Sequence, residues 1–128
     1  MFHWEFPAAL YEKGGWLNPD VVDWFGEYAK VVAENFSDLC EYFITINEPQ
    51  CVVGLGHLSG VHAPGVTCTV KETFQIAHNL LKAHGRAVIE LRKHAGREIK
   101  VGVAPTGGDA YPYTGSEADI AAGKKDYF

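Results

Sequence analysis

Residues 44–50 read ITINEPQ, and the centre of that run, Asn47-Glu48-Pro49, holds the groups best suited to chemistry. A carboxyl group held against apolar walls has its pKa raised and can stay protonated until it acts as an acid. The Asn47 amide can donate to one hydroxyl and accept from another. Pro49 restricts the backbone just after them. Near the start, His3 and Trp4 form a second chemical pair in HWEFP. An indole face stacks on the C–H face of a sugar ring, and imidazole or indole N–H groups bond to hydroxyls. Each motif also has a plainer reading. Glu48 can cap the following loop, and Trp4 can be a core residue beside a hydrogen-bonded His3.

The elements that must position these groups follow from periodicity. Residues 41–46, EYFITI, are rich in β-branched and aromatic residues and read as a strand buried on both faces, as in a parallel sheet. That puts Glu48 at the strand's carboxyl end, where βα folds carry functional groups. His3 is expected just after an earlier strand, at the same end of the sheet. Residues 98–103, EIKVGV, alternate as a second strand.

Residues 8–16 begin as a short helix stopped by Gly14 and Gly15. Asn18 as N-cap and Pro19 at the first helical position predict a helix over 19–36, with Val21, Trp24, Phe25, Tyr28, Val31 and Val32 inward. Residues 49–68 are punctuated by glycine and read as a long loop with at most a helical turn. Residues 70–94 carry the longest helical pattern, with Phe74, Ala77, Leu80, Leu81, His84, Val88 and Leu91 on one face and Gly96 capping the end. Residues 104–115 read as a loop, and Ser116 caps a last helix through 128. Strands alternating with helices imply right-handed crossovers and a parallel α/β sheet.

The chain has 128 residues, 47% hydrophobic and 21% charged, which marks one globular domain or a piece of a larger one. A net charge of −5 argues against nucleic acid or an anionic membrane as partner. No apolar run approaches the ~20 residues of a bilayer span. Cys40, Cys51 and Cys68 are odd in number and lack CxxC spacing, so free thiols and a cytoplasmic setting are expected. No metal site and no cofactor is expected, because no His pair has ligand spacing.

Taken together, HWEFPAALYEKGGWLNPDVVDWFGEYAKVVAENF, YFITINEP, GHLSGVHAPGV and HNLLKAHGRAV resemble glycoside hydrolase family 1, the β-glucosidase family, over nearly the whole chain. The resemblance implies a (β/α)₈ barrel and hydrolysis of β-glycosides with retention. It implies Glu48 as the general acid/base, Asn47 as the contact to the sugar 2-hydroxyl, and His3 and Trp4 as lining of the glycone subsite. Retention takes two carboxyls, and the family's nucleophile lies in a later motif like T-E-N-G, which this sequence lacks. An early glutamine contact and a late tryptophan-rich region are also missing. A whole barrel takes roughly 250 residues. The resemblance therefore implies a partial TIM barrel, residues 1–128 forming a single segment from the end of strand three through the helix after strand five. The abrupt MFHWEFP start follows from that.

Three functions stay open on these residues. The first is the acid/base half of a retaining β-glucosidase, inactive alone, whose substrate in the full-length enzyme is a β-glucoside or other β-linked sugar. HWEFP and NEP favour this over a 6-phospho-β-glucosidase fragment, where HFEMP and NEI are typical. The second is a non-catalytic module that forms a homo-oligomer or pairs with a complementary barrel fragment across cut strand edges. The third is weak sugar binding through His3, Trp4 and Asn47, worth ~4 kcal/mol. Of the other histidines, His78 and His84 read as structural, His84 packing beneath the site, and His62 as a loop-ordering residue near the aglycone side. His57 and His94 read as solvated.

Overall fold

The computed structural model describes residues 1–126 of the chain. The β-branched run forms strand β1, Tyr42–Asn47, and the second forms β2, Lys100–Ala104. They pair in parallel, Tyr42 opposite Lys100, Phe43 opposite Val101 and Ile44 opposite Gly102, with an irregularity before Asn47 meets Ala104. The expected earlier strand is present as a stub. Phe2 bridges Ile46 in parallel, its N–H donating to Thr45 O (2.9 Å) and its carbonyl accepting from Asn47 N (3.0 Å). The order across the sheet is therefore stub, β1, β2, each running the same way.

Parallel strands need crossovers, and the helices supply them. After α1, Ala8–Tyr11, and a 3₁₀ turn, Gly15–Leu17, comes α2, Val21–Phe36. Its start differs from the Asn18–Pro19 expectation. Asn18 Oδ1 accepts from Asp20 N at 2.9 Å and Asn18 Nδ2 donates to Lys13 O at 2.8 Å, so Asn18 folds a turn before the helix and Asp20 takes the cap position. After β1, Pro49–Cys51 forms α3 and runs into a π-helix, Val52–Leu58, which fills the first half of the expected loop. Helix α4 spans Val70–His94, as expected. Thr69 and Glu72 close a reciprocal box at its start: Glu72 N donates to Thr69 Oγ1 (3.3 Å) and Thr69 N to Glu72 Oε2 (2.8 Å). At its end an extended Ala95 takes the cap position that Gly96 was expected to fill, and Gly96 N donates instead to Ser37 Oγ at 2.9 Å. Helix α5, Glu117–Asp126, starts where Ser116 Oγ accepts from Asp119 N at 3.2 Å. The last two residues of the expected helix, Tyr127 and Phe128, lie outside the described residues.

The core lies between α2 and α4 and beneath the sheet. Val21, Phe25, Ala29 and Ala33 on α2 meet Ile76, Leu80, Ala83, Ala87 and Leu91 on α4. Four of these are alanines, which lets the two helices approach closely. Phe2, Trp16 and Phe25 pack edge to face at the stub end, Phe2 and Trp16 with centroids 5.2 Å apart. A ladder of polar contacts runs along the same seam: Arg86 Nε lies 3.0 Å from Glu90, and the His94 ring lies between Glu90 (3.3 Å) and Glu34 (3.4 Å).

Burial departs from the sequence expectation on three elements. Of the α4 face, Leu80 and Leu91 are buried, but Phe74 and Leu81 are 72% and 64% exposed. On β1, Phe43, Thr45 and Ile46 are buried while Tyr42 and Ile44 are exposed, so one sheet face is open among the described residues. Val31 and Tyr28 on α2 are exposed as well. Each lies on a surface that no described element covers.

Candidate active site

The stub, β1 and β2 end side by side, and their carboxyl ends bring the four candidate residues together. His3 and Trp4 follow Phe2 directly. Trp4 Nε1 donates to the Asn47 carbonyl at 3.2 Å, and Asn47 Nδ2 lies 3.4 Å from His3 Nε2. The His3 and Trp4 rings are 5.4 Å apart, centroid to centroid. Next along the chain, Glu48 N donates to Ala104 O at 2.7 Å, tying the residue's backbone to β2.

Two non-glycine residues among those described have positive φ, Trp4 (82°) and Glu48 (44°). Left-handed backbone costs an L-residue roughly 1–2 kcal/mol, and such residues gather at functional sites. Here the strain falls on the residues that the sequence singles out. The cause is local in each case. β1 stops at Asn47, and Glu48 must reverse the chain into α3 while keeping its N–H on Ala104. Trp4 must turn from the stub while its indole reaches Asn47.

The Glu48 side chain is half-buried, as are Asn47 and Trp4, and His3 is exposed. The Trp4 N–H, offered to a sugar by the sequence reading, is engaged with Asn47, which leaves the ring faces as the larger open group. One turn on, the Cys51 thiol is pushed above its usual range by burial, then by its hydrogen bond to the Glu48 carboxylate and by that group's negative charge. Cys51 escapes sequence reasoning, although its place three residues after Glu48, at the start of a helix, was the available signal.

The supporting groups are polar and specific. Thr45, fully buried, sits with Oγ1 2.7 Å from His84 Nδ1 and donates to Gly102 O at 3.2 Å. His84 thus lies beneath the site from α4, as the resemblance implied. Gln50 Nε2 donates to Thr106 O at 2.6 Å, and Thr106 N donates to Gln50 Oε1 at 3.3 Å. His62 reaches Trp4, the ring centroids 5.1 Å apart.

Two histidines expected in solvent are not there. His57 is 4% exposed; its Nδ1 donates to Val52 O at 2.8 Å, and burial lowers its pKa. His94 is half-buried in its two-carboxylate clasp. Conversely, His78, read as structural, is exposed on α4. No group of three His, Cys, Asp or Glu residues able to hold a metal occurs among the described residues. No described helix is long and apolar enough to cross a membrane. All three cysteines are free, as expected.

Parallel βα units with polar and aromatic groups gathered at their carboxyl ends have the arrangement of a segment of a (β/α)₈ barrel. The profile of glycosyl hydrolase family 1 matches residues 1–128, and the chain belongs to that family. It is 44% identical over 122 residues to Beta-glucosidase A of Thermotoga maritima, covering 95% of this chain and 27% of that one. Beta-glucosidase A of Acetivibrio thermocellus is 36% identical over 127 residues, covering 99% and 28%. The structure superimposes on that of the Thermotoga maritima β-glucosidase in complex with glucoimidazole with a TM-score of 0.82 at 43% identity, covering 98% of this chain and 28% of that one. The chain thus spans under a third of the length of these relatives.

Proposed function

We propose that the chain supplies the acid/base half of a retaining β-glucosidase site. The observation that supports this reading best is the convergence of His3, Trp4, Asn47 and Glu48 at one sheet end, with backbone strain on two of the four. In this reading Glu48 protonates the glycosidic oxygen as the bond breaks and later takes a proton from the attacking water. Asn47 Oδ1 and Nδ2 meet the hydroxyl beside the anomeric carbon. His3 and Trp4 hold the same sugar, through the imidazole and the indole face. The second carboxyl, which forms the covalent intermediate, comes from a segment outside this sequence. The chain alone therefore turns over no aryl β-glucoside at an appreciable rate.

The experiment is a chimera in which this chain replaces the matching stretch of the Thermotoga maritima Beta-glucosidase A. It should hydrolyse an aryl β-glucoside, and Glu48→Gln should lower kcat by about 10²–10⁴, the usual range for a lost general acid. A chimera indifferent to Glu48→Gln would sink the assignment. Robust turnover by the isolated chain, lost in Glu48→Gln, would overturn the half-site reading alone.

A second reading concerns partners. Phe74, Leu81 and Ile89 on α4 and Tyr42 and Ile44 on β1 are large, apolar and exposed, which favours association with a second copy or with a complementary barrel segment. Light scattering on the isolated chain is expected to give a mass above 14.1 kDa, and a compact monomer would remove this reading.

A further inference from the structure

We propose that His62 is a positioning residue that seats the Trp4 indole, so that the loop after the π-helix governs the sugar-stacking face assigned above. The inference rests on that assignment for its functional meaning, though not for its test.

Trp4 is poorly held by its own segment. Its backbone is left-handed, and its indole makes a single 3.2 Å hydrogen bond, to the Asn47 carbonyl. The half-buried ring packs against the edge of the core, which leaves its outer side to be closed. His3 lies on one side at 5.4 Å and is itself exposed. His62 lies at 5.1 Å with its ring plane 40° from the indole.

The loop that brings His62 there is built to hold it. Gly60 (φ 71°) and Gly65 (φ 78°) take left-handed backbone on either side and fold the segment back. The fold-back is fastened to the π-helix by His62 N donating to Leu55 O (3.0 Å), Val66 N to Gly56 O (3.3 Å) and Cys68 N to His57 O (2.6 Å). The approach is so close that a Cβ on Gly56 would stand 2.6 Å from the Ala63 carbonyl oxygen.

What the ring does there follows from what it lacks. His62 Nδ1 is buried and has no hydrogen-bond partner among the described residues. Hydrogen bonding through that nitrogen does not account for the ring's placement. Its contact with the indole does: the two rings pack against each other at a 40° tilt.

The test reads the Trp4 indole N–H by ¹⁵N-resolved hydrogen exchange in the isolated chain, with the Trp16 and Trp24 indoles as internal references. His62→Ala should speed exchange of the Trp4 N–H by roughly three- to tenfold, the scale of one aromatic contact, and leave Trp16 unchanged. His62→Phe, which keeps a ring face without nitrogens, should restore protection, and His62→Gln, which keeps polarity without a ring, should not. Unchanged Trp4 exchange in His62→Ala would overturn the proposal, as would rescue by Gln but not by Phe. If His62→Ala loosens all three indoles together, the Phe and Gln variants decide by the same criterion. None of these readings depends on turnover, so a failed Glu48 assignment leaves them intact.

Discussion

Thr45 Oγ1 and His84 Nδ1 meet at 2.7 Å in the layer between the sheet and α4. Thr45 is fully buried, and its hydroxyl also donates to Gly102 O, so the imidazole nitrogen is the donor toward it. One hydroxyl therefore joins both strands to the helix that supports them. Thr45→Val keeps shape and leaves the His84 N–H without its acceptor. The expected loss is about 1–3 kcal/mol by chemical denaturation. A loss within 0.5 kcal/mol, roughly the scatter of a surface change, would mean that His84 finds another partner.

Glu48 should be a place where function and stability conflict. Its φ of 44° and ψ of 63° suit asparagine better than glutamate. Glu48→Asn is expected to match or exceed the wild-type denaturation midpoint, by up to about 1 kcal/mol, while lacking the reach of the glutamate carboxyl. Glu48→Ala should show no such gain. A clear loss in Glu48→Asn would show that side-chain contacts outweigh the backbone strain.

Cys51 reports on its neighbour. Burial, and then the Glu48 hydrogen bond and charge, hold its thiol above the ordinary range. Removing the charge with Glu48→Gln should move Cys51 alkylation by iodoacetamide to lower pH. Cys68 is raised by burial and by Glu72, so its profile should stay in place. Mass spectrometry of peptides from both positions gives the comparison within one sample.

His57 makes stability depend on pH in a defined window. Its folded pKa lies below the ordinary 6.5, because burial outweighs the bond to Val52 O. Below pH 6.5 the unfolded chain's imidazole takes up a proton more readily than the folded one. The stabilising contribution is thus complete above 6.5 and shrinks as pH falls toward the lowered value. Thermal midpoints at pH 7.5 and 5.5 should differ more in the wild type than in His57→Gln. Equal differences would exclude His57 as the source.

Much of this was legible in the sequence, for physical reasons. β-branched runs mark β1 and β2, and helical spacing marks the whole of α4, because both patterns come from local backbone geometry. The Thr69-x-x-Glu72 box escaped that reading, although its spacing carries the signal. Glu48, Asn47, His3 and Trp4 stood out in the sequence as candidates, and the structure places them at one end of the sheet. Coverage of apolar residues was not legible. Phe74 and Leu81 share the helical pattern with Leu80 and Leu91, and periodicity counts apolar positions without saying what packs on them. The π-helix over Val52–Leu58 has no compositional mark, since two glycines within it read as loop. His57 looked solvated for the same reason.

The paired bonds between Gln50 and Thr106 alter what the end of the sheet is made of. Past the Glu48 N–H, which reaches Ala104 O, the backbone of β1 can pair no further, since Glu48 is left-handed and Pro49 has no N–H. The Gln50 carboxamide carries one carbonyl and one N–H group in the arrangement of a peptide unit, and it exchanges both bonds with Thr106. A side chain has taken the place of main chain, and the ladder is one rung longer than its strands. The spacing between the two strand ends flanking Glu48 is therefore written in a side chain and open to point mutation: Gln50→Glu would keep the acceptor, lose the donor, and leave that rung half made.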